Sequence, residues 1–184
     1  MVTRPLSVAC IGFKRVLKDP TSWTSEADNL RDAADLVHEA YAADWKVVEQ
    51  CLKRKRRGEG SGVLPGRLGL YKVAFLLLGL ANENLLKAML LGNNVDTGSD
   101  NEIKWPDNGH DQRKLASNAG LGLTAEEDVL LGLLSEFVLW AGRYPLPKKE
   151  KHLDQELDSS GDQWAKAVAL FDRLRSTLHD RPKV

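Results

Sequence analysis

Two charged residues lie inside the most apolar stretch of the chain. Residues 68–91 read LGLYKVAFLLLGLANENLLKAMLL and carry Glu83 and Lys87 among leucines. In a helix, residues four positions apart lie one turn apart on the same face, so this carboxylate and this ammonium group can meet. Burying either charge is costly unless it has a partner. The spacing predicts a buried polar site, which is either an ion pair closed on itself or a set completed by groups from other helices.

The residues that could complete this site lie at two later positions. His110 and Asp111 lie where a short helix is predicted to begin, and Arg143 and Tyr144 lie where a later helix is predicted to end. Cations and an imidazole donor bind phosphate, so Lys87, His110 and Arg143 together would suit a nucleotide or another anion. Simpler roles are a surface histidine at a helix start and an arginine that caps terminal carbonyls. Both interpretations are compatible with the sequence.

The helical period of the apolar residues predicts the fold class. Apolar residues recur at three- and four-residue spacing, and no segment alternates as a strand would. The segments with this period are 25–52, 68–91, 108–118, 124–141 and 161–179. We therefore expect an all-α, single-domain bundle of about five helices over residues 23–181, preceded by an N-terminal segment of uncertain structure over residues 1–22.

Four details of these helices are specific enough to test. Thr124 and Glu127 are predicted to form a capping box at the start of the fourth helix. Ser25 is predicted to cap the first helix, and Trp45 and Leu52 are predicted to face the core from its later turns. Asn108 is predicted to cap the third helix, which puts His110 in the first turn. The second helix is predicted to be the most buried, because it is apolar on almost every side.

The composition argues against several classes of protein. The 26 basic and 26 acidic residues balance, so any nucleic-acid contact must use a local patch. Cys10 and Cys51 lack metal-ligand spacing, which predicts reduced thiols with neither a disulfide framework nor a zinc cluster. We expect no cofactor and no metal. The apolar run at 73–81 is shorter than the ~20 residues that a bilayer requires, and no secretion signal precedes it. We expect a cytoplasmic protein without membrane contact.

A basic cluster interrupts this balance at residues 53–57, which read KRKRR and precede a loop rich in glycine and serine. Cations at the C-terminal end of a helix interact favourably with the helix dipole and need no ligand. The alternative is a contact with the phosphate backbone of RNA or DNA, which would weaken steeply as salt rises. The sequence leaves both roles open.

Three motifs, taken in order, resemble those of the HEPN family. They are ENLLKA at residues 83–88, GHD at residues 109–111 with Leu115 following, and AGRYP at residues 141–145. The resemblance covers about residues 71–147 and implies a compact helical bundle that is commonly dimeric. It departs from the family at Gln112, where leucine is common, and at Gly142, which separates Ala141 from the arginine. The ligand-binding residues that it implies are Glu83, Lys87, His110, Asp111, Arg143 and Tyr144.

The ribonucleolytic branch of that family carries an arginine and a histidine near its final helix. The one fit here runs from Arg173 to His179. In a continuous helix, side chains six residues apart point about 240° apart and do not converge within one chain. Arg173 and His179 are therefore weak catalytic candidates.

Three functions follow as hypotheses, in this order. The first is a HEPN-like module that binds a nucleotide, RNA or another anionic ligand in a toxin-antitoxin or defence system. The second is a metal-independent endoribonuclease, in which histidine activates the ribose hydroxyl and arginine stabilises the phosphorane. The third is a structural bundle that acts by protein association. The resemblance implies a homodimer, and a nucleotidyltransferase or an antitoxin is the expected class of partner.

Overall fold

The computed structural model describes residues 16–60, 62–63, 65–67, 69–94, 103–143 and 161–180. Within these ranges it contains five α-helices and no strand, which confirms the predicted all-α class. The helices are α1 (Pro20–Arg56), α2 (Leu70–Gly92), α3 (Gln112–Asn118), α4 (Ala125–Glu136) and α5 (Gly161–His179). The predicted site residue Tyr144 and Cys10 lie outside the described residues.

α2 is the helix around which the others are arranged. Thirteen of its 23 residues are buried, and it packs against all four other helices, which confirms that this stretch is the most buried. In the described part of the chain it is also the one helix long and apolar enough to cross a bilayer. However, 72% of its apolar window is buried against the rest of the protein, as in a core helix.

α1 begins earlier than the sequence predicts. Pro20 occupies its first turn, and the Asp19 carboxylate accepts a hydrogen bond from the Thr21 amide at 3.0 Å. Proline suits this position because its missing N–H would have no helical partner there. The prediction of an N-cap at Ser25 is wrong, and residues 20–22 belong to α1.

The later turns of α1 also differ from the prediction. Trp45 and Leu52 are 43% and 46% exposed, so the expectation that they face the core is wrong. Asp44 is buried instead, and its carboxylate accepts two hydrogen bonds from Arg67, at 3.1 and 2.9 Å. These hydrogen bonds raise the pKa of Arg67 above its ordinary value. The pair attaches the loop before α2 to the side of α1.

The remaining helices follow the sequence more closely. α4 begins with the predicted capping box, in which Thr124 and Glu127 exchange hydrogen bonds. Its last turn widens into a π-helical turn, Phe137–Ala141, whose 3.0 Å hydrogen bond joins the Gly142 amide to the Phe137 carbonyl. α5 has the predicted bounds.

Candidate functional site

The Glu83 carboxylate contacts two other residues of the predicted site. Its side chain is 3% exposed, and its Oε1 atom lies 2.5 Å from Nζ of Lys87, one turn later in α2. The other oxygen, Oε2, lies 3.1 Å from Nδ1 of His110, on the segment before α3. The ion pair therefore does form within α2, but it is not closed on itself. Both oxygens of the buried carboxylate have a partner.

Two tryptophans enclose the Lys87 ammonium group. Nζ lies 5.6 Å from the ring centroid of Trp23 in α1 and 5.4 Å from that of Trp105. The two indoles contact each other edge to face, with centroids 5.1 Å apart. A cation within about 6 Å of an indole face is attracted by the ring quadrupole. We call Glu83, Lys87, His110, Trp23 and Trp105 the Glu83 network.

A short 3₁₀ turn, Pro106–Gly109, places His110 beside Glu83. Gly109 has a φ of 73°, and a Cβ added there would lie 2.7 Å from Cβ of Trp105. Only glycine fits this position without moving the tryptophan, because the left-handed φ is strained for other residues. Asn108 also has a positive φ, of 66°, and does not cap α3. The prediction of an Asn108 cap is wrong.

Asp111 is the residue that caps α3. Its side chain accepts a hydrogen bond from the Lys114 amide at 3.3 Å. His110 therefore precedes the cap and lies outside the helix rather than in its first turn. Asp111 was also expected to bind ligand, but the contact that the structure gives it is this capping role.

Gln112 fixes the start of α3 to two neighbouring helices. It is fully buried; its amide donates to Oγ of Ser135 in α4, and its Nε2 atom donates to the Gly79 carbonyl in α2, both at 3.0 Å. This position departs from the leucine that is common in the HEPN motif. A leucine would keep the backbone hydrogen bond to Ser135 but could not make the side-chain bond to Gly79, so the glutamine has a specific anchoring role here.

Arg143 does not join the Glu83 network. It is exposed, and within the described residues it forms no hydrogen bond through its side chain and no ion pair. Its neighbour Gly142 packs against Leu76, since a Cβ added at Gly142 would lie 2.5 Å from the Leu76 Cβ. Leu76 precedes Glu83 by two helical turns, a rise of about 10 Å. The sequence therefore identified three residues that meet, but the expectation that Arg143 meets them is not supported by the geometry.

The two catalytic candidates in α5, Arg173 and His179, do not lie together either. Arg173 Nε lies 2.5 Å from Oε1 of Glu127, the capping-box residue of α4, so this guanidinium connects α5 to α4. The His179 side chain is 81% exposed at the end of α5, where its Nδ1 atom lies 3.5 Å from Oδ1 of Asp180. The two side chains do not form a common site within one chain.

An open groove of about 370 Å³ lies between α1 and α5, and none of its lining residues belongs to the Glu83 network. Four of its six charged lining residues form two ion pairs. Arg175 donates to Asp28 at 3.0 and 3.1 Å, and Arg31 pairs with Asp35 while its guanidinium lies 5.8 Å from the Phe171 ring centroid. The contacts of Arg175 with Asp28 and of Arg31 with Phe171 therefore connect α1 to α5 at this groove.

Among the described residues, no group of three or more histidine, cysteine, aspartate and glutamate side chains is arranged to hold a metal ion. Sequence reasoning missed Trp23 and Trp105, because neither belongs to a recognisable motif and their meeting depends on how α1 packs on α2. No protein-family model, curated protein or solved structure matches the chain.

Proposed function

We propose that the protein is a HEPN-like helical module that binds RNA or a nucleotide, with His110 as the side chain that contacts phosphate. The observation that carries this proposal is the position of the imidazole. It is 43% exposed, yet its Nδ1 atom is held by a carboxylate that is 3% exposed. A surface group fixed in one orientation by the core is suited to recognition, because little side-chain freedom remains to be lost on binding.

The charges of the network favour an anion at this surface. Lys87 offsets the charge of Glu83, so the ion pair leaves no net negative charge beside His110 to repel an anion. Among the described residues, Nε2 of His110 has no hydrogen-bond partner, and a phosphate oxygen can accept a bond from it. Lys87 itself is 8% exposed, so its role is to hold the carboxylate rather than to contact the ligand.

The three motifs that resemble the HEPN family support the same class of ligand. A homodimer in the cytoplasm, with a nucleotidyltransferase or an antitoxin as a partner, is part of this proposal. Arg143 has a smaller role in it than the motif alone suggests, because its turn packs two helical turns away from Glu83.

Metal-independent RNA cleavage is a second candidate, favoured by the contact between Glu83 and His110. If Nδ1 carries the proton that is shared with Glu83, then Nε2 is left as a base for a ribose hydroxyl. A carboxylate that orients a histidine in this way is the usual arrangement for a general base. Arg173 and His179 are less suitable, because they do not converge within one chain.

The test compares substitutions of His110 with the substitution of an exposed histidine outside the Glu83 network, His179. His110→Ala removes the phosphate contact, His110→Asn keeps a donor for Glu83 but removes the acid–base group, and His179→Ala is the exposed control. Binding of a labelled RNA pool and of nucleotides is measured by fluorescence anisotropy, and cleavage is measured in EDTA. We expect His110→Ala to fold with a loss of about 1.5 to 3 kcal/mol, the scale for a hydrogen bond to a charged group.

The outcomes separate the hypotheses. Loss of nucleotide binding in His110→Ala, but not in His179→Ala, supports the module. Cleavage by the wild type that His110→Asn abolishes while binding persists supports the endoribonuclease. Unchanged nucleotide binding in His110→Ala and Arg143→Ala, with no cleavage by the wild type, contradicts both, and the association hypothesis then takes first place.

A further inference from the structure

α1 extends well beyond the helix on which it packs. It has 37 residues against 23 in α2. The ring centroids of Tyr41 and Tyr71 are 5.8 Å apart, which places the start of α2 beside the middle of α1. Residues 45–56 continue for about 18 Å past that point. In the described part of the chain, the returning loop approaches this end at Cys51, because a Cβ added at Gly62 would lie 2.9 Å from its Sγ, while residues 52–60 stay exposed.

Positive charge is concentrated on this projecting end. Between Trp45 and Gly60 there are six basic residues and two acidic ones, although the whole chain has 26 of each. The basic cluster, residues 53–57, is exposed throughout, and none of its side chains forms an ion pair within the described residues. Other cations of the protein, such as Arg67 and Arg173, are paired with carboxylates. Five neighbouring cations are left available to an external anion.

The distribution of side chains on the projecting end of α1 favours a nucleic acid over a membrane. Trp45, Val47 and Leu52 are exposed, but Val47 points about 200° around the helix from Trp45. The exposed apolar side chains therefore do not form the single face with which a helix lies on a lipid surface. The five consecutive cations surround the end of the helix, which suits a flexible chain of phosphates.

We propose that the basic cluster binds the sugar–phosphate backbone of RNA or DNA without reading its sequence. This contact is separate from the His110 site. Trp23, which belongs to the Glu83 network, lies 33 residues before Arg56 in α1, a rise of about 50 Å. The proposal goes beyond the proposed function and does not depend on it, because the cluster can bind a backbone whether or not His110 contacts phosphate.

Salt dependence gives the clearest test. If the cluster contacts five phosphates of a single strand, the logarithm of the association constant should fall with a slope of about 3.5 against the logarithm of salt concentration. Affinity should then fall about 100-fold between about 50 and 200 mM salt. Binding is measured by anisotropy on the full chain, with oligouridylate, oligodeoxythymidylate and duplex DNA as probes.

Two sets of variants separate charge from structure. The five-fold replacement of residues 53–57 by glutamine removes the charge and keeps good helix formers. The control set, Arg54→Lys, Arg56→Lys and Arg57→Lys, keeps the charge. We expect the glutamine variant to lose at least 10-fold in affinity and most of the salt slope, the lysine variant to keep both, and circular dichroism to stay unchanged in each.

Several results would overturn the proposal. A glutamine variant with the affinity and slope of the wild type would exclude the cluster as the contact. Tighter binding to vesicles of anionic lipid than to any nucleic acid would identify a membrane surface instead. His110→Ala separates the two proposals. A salt slope that is lost in the glutamine variant but largely persists in His110→Ala assigns the slope to the cluster, and a slope lost in His110→Ala but kept in the glutamine variant assigns it to the His110 site.

Discussion

Replacing Lys87 by methionine tests whether the Glu83 network is an essential part of the core. Methionine keeps most of the length of the apolar stem, so the packing between Trp23 and Trp105 changes little. The charge is lost, and with it the 2.5 Å contact to Oε1 of Glu83. The carboxylate, 3% exposed, is left with His110 as its remaining partner in the network.

The expected loss follows from this geometry. Removing one partner of a buried ion pair typically costs about 3 to 5 kcal/mol, because the other charge stays buried without compensation. His110 still contacts Oε2, so we expect the loss of stability to lie at the lower end of this range, at about 3 kcal/mol. The loss of attraction between the ammonium group and the two indoles adds to it. For a chain of this length the melting temperature should fall by about 6 to 20 °C.

Urea denaturation followed by circular dichroism measures the free energy of unfolding, and two further variants make the result specific. The double variant Glu83→Gln, Lys87→Met should be more stable than Lys87→Met alone by about 1 to 3 kcal/mol, because it removes the stranded charge. Lys166→Met removes an exposed ammonium 2.8 Å from Asp162 at the same helical spacing, and it should leave the midpoint nearly unchanged. A loss below about 1 kcal/mol for Lys87→Met, or no recovery in the double variant, would refute this account of the network.

Two other predictions concern Gly109, beside the Glu83 network, and His38, which packs on α5. Gly109→Ala should destabilise the protein more than Gly120→Ala. Both glycines have a positive φ, and for Gly120→Ala this left-handed φ alone is expected to cost about 1 to 2 kcal/mol. At Gly109 the added Cβ would also meet Trp105. Equal losses in urea denaturation would show that Trp105 yields freely. His38 stacks on Trp164 with ring centroids 4.1 Å apart, and burial lowers its pKa. Protonation of His38 therefore favours the unfolded chain. The free energy of unfolding should fall as pH drops below about 6.5, the ordinary histidine pKa, towards the lower pKa of the folded state. His38→Phe should keep the stacking and reduce this dependence, and an unchanged pH profile of the unfolding free energy would contradict the assignment.

The helices that the sequence predicts well are those whose signals are local. The Thr124 capping box and the start of α5 at Gly161 depend on residues a few positions apart, and both are found as predicted. The start of α1 was misplaced because Pro20 can either end one element or begin another. Asp19 decides the matter by capping the helix, but Ser25 offered an equally good local signal.

Long-range packing accounts for the rest of the differences. Trp45 has the helical spacing of a core residue, but it lies past Tyr41, where the start of α2 packs on α1, and 43% of it is exposed. The indoles of Trp23 and Trp105 meet across 82 positions of sequence, which no spacing rule predicts. Arg143 is directed elsewhere because the π turn before it sets its turn against Leu76.

The two interpretations of Glu83 and Lys87 that the sequence left open are not exclusive. A carboxylate has two oxygens, and a single ammonium group at one of them leaves the other available. Because Lys87 supplies the opposite charge inside α2, Glu83 can remain buried while it holds a half-exposed histidine from another segment. A neutral glutamine at position 83 could accept one hydrogen bond from His110 but would leave the buried Lys87 charge without a partner. The ion pair thus explains how this bundle can carry a firmly oriented imidazole to its surface, and the substitutions at Lys87 and His110 test the structural and the recognition roles separately.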